Sequence, residues 1–547
     1  MKRLPDNRAL LAGAAALILS VLAVLWVQWR VGAYRGDLGV TDDSAAHYVS
    51  GVMVRQYALA LSNFEFHDPV RFAEAYYARY PKLGFGQWPP VFYVIEGSWL
   101  LLFGTSHLSI MLLLGLVVVL VLCMSHRIAS RLTGPVLALA VVGLLLMRAS
   151  VVRFAYQVEP DMGLAGVSLA AALAFARYAS RPGWKSSAAW SLMAALAILM
   201  KGNAFALALV PPWYLLISRR FDLLRRADFW GPVLVVGLLC GPWYWITREI
   251  WTQTNTRPNT GLLAPSLAIL GRLFKFGPAL LAAALAGLAM ACGKEDRSGQ
   301  RTLFNVMAAL LLAWIAFHML ISVGGGPRKH LLTFILVVVF SVVGVDRLSR
   351  WAGRKGVPRP PVALCLIAGL ALSLYSRTPG SAPKSAVMRR TAERIAADAS
   401  LRGAAILVSS QGIGEGSLIA EMASLQPEPQ HYILRASQFL AHTDWYDRRY
   451  RLVTKTPAAV ARLLDAIPVA AVVIDHRPGP AEAPHHALLE RTLQECTAEW
   501  ELAGVYPAGA KGGQVQASFY RRRSGIRPLA RPPRIYSGTL ERYVSPE

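Results

Sequence analysis

The sequence predicts a polytopic α-helical membrane protein that carries a soluble α/β domain at its C-terminal end. Three observations predict it. Of 547 residues, 54% are hydrophobic and only 16% are charged, the mean hydropathy is +0.39, and the apolar residues gather into runs too long for a soluble core to hide. The Lys and Arg residues recur in short loops between those runs, as the positive-inside rule requires. Near residue 378 the runs stop, and strand-like and helix-like stretches alternate instead.

The net charge of +25 does not indicate nucleic acid, because the cations sit between apolar runs and not on one polar face. Of the five cysteines, Cys123, Cys240, Cys292 and Cys365 lie in or at the ends of apolar runs and Cys496 in the polar C-terminal part. That scatter supports neither a disulfide framework nor a CxxC metal site. Met1-Lys2-Arg3 followed by an apolar run looks like a signal peptide. The run is about 20 residues long without a small-residue cleavage site, so it reads as an uncleaved first span.

Hydropathy places spans at 9–29, 108–124, 134–148, 162–177, 186–200, 203–218, 231–247, 264–292, 302–322, 330–346 and 360–376. Segment 91–104 is apolar but reaches only ~21 Å, short of a ~30 Å core, and it carries Glu96, costly at mid-bilayer. If it stays at the interface, the N-terminus and the loops near 125–133, 177–185, 219–228, 293–301 and 346–359 share one side. Together they hold about 20 Lys/Arg, against roughly seven in the opposing short loops, as a cytoplasmic side should. The expectation is therefore about 11 spans plus one interfacial helix in a membrane domain over 1–377, with a first outer loop at 31–107. A periplasmic or extracellular α/β domain follows over 378–547. In that tail, 404–408 and 468–475 read as strands, 415–424 and 483–500 as helices. The last ~25 residues, rich in Arg and Pro, read as extended.

With that sidedness the distinctive polar groups emerge on the outer face. Asp42 and Asp43 open a helical stretch at 43–60. A carboxylate beside the membrane can accept a hydroxyl proton, while the structural alternative is a helix N-cap. His47 lies four residues on, on the same helix face, suited to phosphate, to a metal or to plain packing. Lys82 is a point charge that fits a phosphate or a lipid headgroup. Trp88, before Pro89-Pro90, is an interfacial anchor or a stacking surface for a sugar ring. Glu159-Pro160-Asp161 supplies carboxylates at a second outer turn, again with the N-cap alternative. Lys201-Gly202-Asn203 separates two apolar runs. Arg328-Lys329-His330 follows Gly324, Gly325 and Gly326 and starts a helix, where the dipole disfavours cations. An anionic ligand explains that placement better than headgroup contact does. Gly412, Gly414 and Gly416 lack dinucleotide-loop spacing and read as a strand-to-helix turn.

In order and sidedness these motifs resemble the GT-C membrane glycosyltransferases, nearest in pattern to aminoarabinose-transferase-like and protein O-mannosyltransferase-like enzymes, over residues 8–350. The resemblance implies inverting transfer of a sugar from a polyprenyl-phosphate donor to an acceptor on the non-cytoplasmic face of the plasma (inner) membrane. It implies Asp42 as general base or acceptor-orienting carboxylate, with Asp43 where relatives carry Glu, and Asp161 as the second-loop acid. Lys82 matches a phosphate-contacting lysine, with Lys201, Arg328 and Lys329 as further cations and His47, Trp88 and Glu159 around the substrate. Some relatives hold a divalent metal and others do not; here Asp42 and Asp161 would carry one. The partners implied are the lipid-linked donor, the bilayer and an acceptor, with no nucleic acid. The rival class is a transporter or flippase, which needs ionisable groups or broken helices near the midplane; His318 is the chief charge-capable residue inside a run.

Overall fold

The computed structural model describes residues 7–39, 41–252, 257–258, 261, 263–289, 299–322, 326–375, 384–442, 450–477, 483–507 and 515–544. Met1-Lys2-Arg3, Cys292, Gly324, Gly325, part of the 293–301 loop, the 377/378 boundary and the Asp42 side chain, all singled out above, lie outside the described residues.

Helix α1 (Asn7–Arg30) leads into a loop carrying α2 (Asp42–Ser62), α3 (Pro69–Arg79) and α4 (Val91–Phe103). Then follow α5 (His107–Thr133), α6 (Leu139–Leu146), the single turn α7 (Ala149–Val152), α8 (Asp161–Ser180) and α9 (Trp184–Met200). A 3-10 stretch, Gly202–Leu209, joins α9 to α10 (Val210–Ser218); α11 (Ala227–Ile246), α12 (Arg248–Thr252), α13 (Leu263–Phe276) and α14 (Pro278–Ala289) come next. α15 (Gln300–Leu320), a 3-10 turn at Pro327–His330, α16 (Leu331–Arg354) and α17 (Arg359–Tyr375) complete the apolar part. The short strands β1 (Arg257–Pro258) and β2 (Ile321–Ser322) pair between α12 and α15.

Six of these helices, α1, α5, α8, α11, α15 and α16, are long and apolar enough to cross a bilayer, and α13 with α14 makes up to seven. Among the described residues the other expected spans fall on shorter or broken helices. Segment 134–148 yields only α6, whose 8 residues reach ~12 Å at 1.5 Å per residue. α9 and α17 have 17 residues each, ~26 Å against a ~30 Å core. Segment 203–218 is half 3-10 helix. Segment 264–292 is not one rod: α13 and α14 meet at 103°, because Gly277 takes φ +130° and Pro278, without an N–H, starts a new helix.

α4 is short, as expected, and packs on α2. Glu96 is fully buried there, so close to Gly51 that a Cβ would lie 2.4 Å from its carboxyl carbon. Neither Glu96 oxygen has a hydrogen-bond partner, and burial drives its carboxyl well above the ordinary range. The protein interior, not lipid, surrounds this acid.

The C-terminal domain opens with α18 (Val387–Ala397) and β3 (Ala405–Ser410), then α19 (Gly414–Leu425), β4 (Tyr432–Arg435), the turn α20 (Ala436–Phe439) and the pair β5 (Ala441–His442) and β6 (Arg451–Leu452). α21 (Pro457–Ala466), β7 (Val469–Asp475), α22 (Pro484–Glu495), β8 (Trp500–Pro507) and β9 (Val515–Arg522) follow. The five-stranded sheet runs β4-β3-β7-β9-β8, parallel among its first three strands and antiparallel beyond. β3 and β7 are buried along their whole length, which is why both read as near-continuous apolar runs. The glycines at 412–416 form the β3-to-α19 turn. Two expectations are corrected. The 483–500 helix stops at Glu495, and the chain turns into an edge strand at Trp500. The last ~25 residues are not simply extended: Leu529 N–H bonds Gly403 O at 2.9 Å, and β10 (Ile535–Ser537) pairs with β11 (Arg542–Val544). Val544 is fully buried, and Arg542 pairs with Glu74 of α3.

Candidate active site

The loop between α1 and α2 ends at Thr41, whose Oγ1 accepts the Ser44 N–H at 3.1 Å. Thr41 is thus the N-cap, and Asp42 and Asp43 occupy the first helical positions. With the cap supplied by Thr41, the Asp43 carboxylate turns to Arg328, whose Nη2 donates to its Oδ2. The other arm of Arg328, Nη1, donates to Glu159 Oε1 at 3.1 Å, and Thr41 Oγ1 donates to the same oxygen at 3.3 Å. Glu159 Oε2 is buried without a hydrogen-bond partner among the described residues.

Two residues on, beyond Pro160, Asp161 begins α8. Both its oxygens receive Lys201 Nζ at 2.8 Å. The N-cap alternative fails here too: the cap position is Pro160, with no side-chain cap bond. Because Asp161 starts α8, Lys201 ends α9 and Arg328 precedes α16, these contacts place three helix ends at one end of the bundle. Pro160 joins the two ion pairs into one cluster.

His47, one helical turn after Asp43, bonds Tyr93 Oη through Nδ1 at 2.8 Å. Its ring lies 4.4 Å from Trp88 and 5.8 Å from Phe92. Trp88 in turn rests on Gly84, where a Cβ would stand 2.4 Å from the indole. Lys329 is half-buried beside Arg328, and its carbonyl accepts Trp314 Nε1–H at 3.3 Å. Lys82 is buried with its stem facing the other domain: a Cβ on Gly416 would lie 3.1 Å from its Cε. Asp43, Arg328 and Glu159 therefore meet directly, and Asp161 and Lys201 pair beside them. His47 lies a helical turn from Asp43 with Trp88 against it, and Lys82 sits at the seam with α19. Sequence reading missed Thr41 and Tyr93. The three-residue step from Thr41 to Ser44 is the cap signal that could have revealed the former; nothing local marks Tyr93.

The electrostatics separate the acids. Burial pushes the Asp43 carboxyl up, but Arg328 and Lys201 outweigh it and hold the group below the usual carboxylate range. Burial and the neighbouring Asp161 raise Glu159 despite Arg328. Burial lowers the His47 imidazole to about 3, so it stands neutral against Tyr93. Among the described residues no three His, Cys, Asp or Glu side chains converge as a metal site needs. Of the two expected ligands, Asp161 gives both oxygens to Lys201 and the Asp42 side chain lies outside the described residues.

A family model described as Dolichyl-phosphate-mannose-protein mannosyltransferase matches residues 87–245, a stretch that includes Trp88, Glu159, Asp161 and Lys201. No curated protein matches the sequence. Among solved structures, ArnT from Cupriavidus metallidurans in the apo state is 16% identical, with 93% of this chain and 98% of that chain covered and a TM-score of 0.53. The same protein bound to undecaprenyl phosphate is 16% identical, with 94% and 98% covered and a TM-score of 0.52. The arabinofuranosyltransferase AftD from Mycobacteria is 13% identical, with 94% of this chain but 40% of that chain covered and a TM-score of 0.50. At such identities the likeness is one of fold. The chain has the GT-C fold of polytopic membrane glycosyltransferases.

Proposed function

We propose that this chain transfers a glycosyl group from a polyprenyl-phosphate-linked sugar to an acceptor, with inversion, at the outer face of the membrane. The observation that carries the reading is the half-buried Asp43–Arg328–Glu159 bridge joined through Pro160 to the Asp161–Lys201 pair. A lipid-phosphate sugar is already activated, so an enzyme must align it, take the acceptor's proton and stabilise the departing phosphate. This cluster supplies a carboxylate and two cations for those tasks at the end of the bundle.

The acceptor oxygen attacks the anomeric carbon. The bond from that carbon to the phosphate oxygen breaks, its electron pair stays on the phosphate, and the acceptor's proton passes to Asp43. A phosphate arriving at Arg328 competes with Asp43 for the guanidinium and frees the carboxylate as it is needed. Lys201 and Lys329 add positive charge for the leaving phosphate, and Trp88 beside His47 offers a ring face for a sugar. Asp43 is the base this reading favours, because its carboxylate meets Arg328; Asp42 is the alternative. Lys82, whose stem lies against α19, is a further candidate cation for the phosphate. The hexosyl or pentosyl nature of the sugar, and the acceptor, are left to substrate screening.

Among the described residues, the bend between α13 and α14 and His318 within α15 are the features that suit a carrier, because broken helices and ionisable groups inside the bilayer build transporter sites. Neither accounts for the charge cluster. The test is sugar release from polyprenyl-phosphate donors by purified protein in parallel with Asp43→Asn, Asp42→Asn and Arg328→Gln. Transfer lost in Asp43→Asn and kept in Asp42→Asn supports the assignment; undiminished transfer in Asp43→Asn sinks it. Donor translocation without transfer supports the carrier.

A further inference from the structure

Between α1 and the acid-bearing start of α2, residues 36–39 are gripped by the C-terminal domain at every position. Asp37 donates its N–H to Ser385 O at 2.6 Å. Its Oδ1 accepts the Arg389 N–H at 3.0 Å and its Oδ2 accepts Arg477 Nη1 at 3.1 Å. The Leu38 N–H donates to Glu421 Oε1 at 2.7 Å. Ser417 Oγ donates to Gly39 O at 2.5 Å. Gly36 and Gly39 permit this approach, since a Cβ on the first would stand 2.4 Å from Lys384 Cβ and on the second 2.8 Å from Ser417 Cα.

The holders are themselves fixed. Arg477 Nε and Nη2 bond both oxygens of Asp475, at 2.8 and 3.2 Å, so its remaining arm is aimed at Asp37. Glu421 Oε2 takes His107 Nε2 at 2.8 Å, and His107 Nδ1 accepts Arg389 Nη1 at 3.1 Å. Asp37, Glu421 and His107 are all buried. Such an array is costly to desolvate unless every member is paired, and a plain domain contact does not need it. Its place in the chain does: Gly39 is two residues before Thr41, which caps α2 and reaches Glu159, and four before Asp43.

We propose that the C-terminal domain positions Asp43 through this clasp, with Asp37 as the positioning residue and Arg477, Ser417 and Glu421 as its holders. The acid it positions is the one assigned to the transfer reaction proposed above, on which the inference rests. A base misplaced by about 1 Å can lose about 10²-fold in rate without losing ligand affinity.

The test uses the full chain in detergent or nanodiscs and the variants Asp37→Asn, Arg477→Ala and, as the mildest, Ser417→Ala. Amide exchange over 34–48 is expected to quicken at least tenfold, with β3 and β7 unchanged in Ser417→Ala. Affinity for undecraprenyl phosphate alone, the binding probe, is expected to stay within threefold while kcat falls tenfold or more with a steady donor KM. Ser417→Thr, which keeps the hydroxyl, restores both readings. Arg477→Lys does not, because one ammonium cannot serve Asp475 and Asp37 together. Unchanged exchange over 34–48, or quickening spread evenly over β3 and β7, overturns the clasp. Full kcat with a loosened 34–48 overturns its positioning role. If the unaltered chain transfers no sugar, the transfer reading falls, while the exchange data still decide whether the clasp exists.

Discussion

Two buried carboxylate clusters, one in each half of the molecule, look alike by composition and differ in how fully their oxygens are occupied. In the C-terminal domain Glu415 accepts Arg435 Nε at 3.0 Å, the Ser437 N–H at 2.9 Å and Ser437 Oγ at 2.5 Å. Asp475 is likewise filled by Ser410 and Arg477. In the membrane half, Glu159 Oε2 is buried without a hydrogen-bond partner among the described residues, and one guanidinium is divided between Asp43 and Glu159. A saturated acid is scaffolding, because every lone pair already has its donor. An acid that shares its cation and keeps an oxygen idle is organised for something that arrives later.

The comparison can be broken at its strongest point first. Asp43→Asn is expected to cut transfer by about 10²–10⁴-fold, the range of a general base, with the thermal midpoint nearly unmoved; a large loss of stability would make Asp43 scaffolding after all. Next, Lys201→Met strands Asp161, which is almost wholly buried with its partner. Breaking such a pair costs about 3–5 kcal/mol, read as a lower unfolding midpoint in detergent, and Lys201→Met with Asp161→Leu should recover part of it. Glu415→Gln weakens a charge-assisted bond by about 1.5–3 kcal/mol; early melting of the C-terminal domain would mark it as scaffold.

The smallest effect is a difference in pH slope. His47 is held at about 3 by burial, below its ordinary 6.5, so its contribution to stability is lost as pH falls below 6.5 and the unfolded chain takes up the proton. Asp37 goes the other way. Burial raises it to about 6, with Glu421 adding and Arg477 opposing, so between about 6 and its ordinary 3.8 the folded chain binds the proton more tightly and this group's contribution rises as pH falls. Thermal midpoints from pH 7.5 to 4.5 should therefore fall less steeply in His47→Phe and more steeply in Asp37→Asn. Equal slopes in all three proteins would refute both assignments.

Much of this was legible along the chain. The positions of Asp43, Glu159, Asp161, Lys201 and Arg328 stand out because charges beside apolar runs are expensive. β3 and β7 read as buried strands for the same reason that they are buried on both faces. Hydropathy registers apolar length but not a break inside a run, such as the one at Gly277. Sequence could not choose between Asp42 and Asp43, which are adjacent on one helical turn; the contact of Asp43 with Arg328 is tertiary. Lys82 was read for its charge, while its buried stem belongs to the seam with α19.

The sequence by itself determined that the chain is a membrane protein, that a soluble α/β domain follows, and that acids and cations accompany particular helix ends. Those properties follow from composition and from periodicities of a few residues. Only the tertiary structure decided that Arg328 bridges Asp43 and Glu159, that Lys201 serves Asp161, and that Arg477 reaches Asp37 across 440 residues of chain. Contacts between groups so far apart in sequence depend on how the helices and the sheet pack, and that geometry has no local signature.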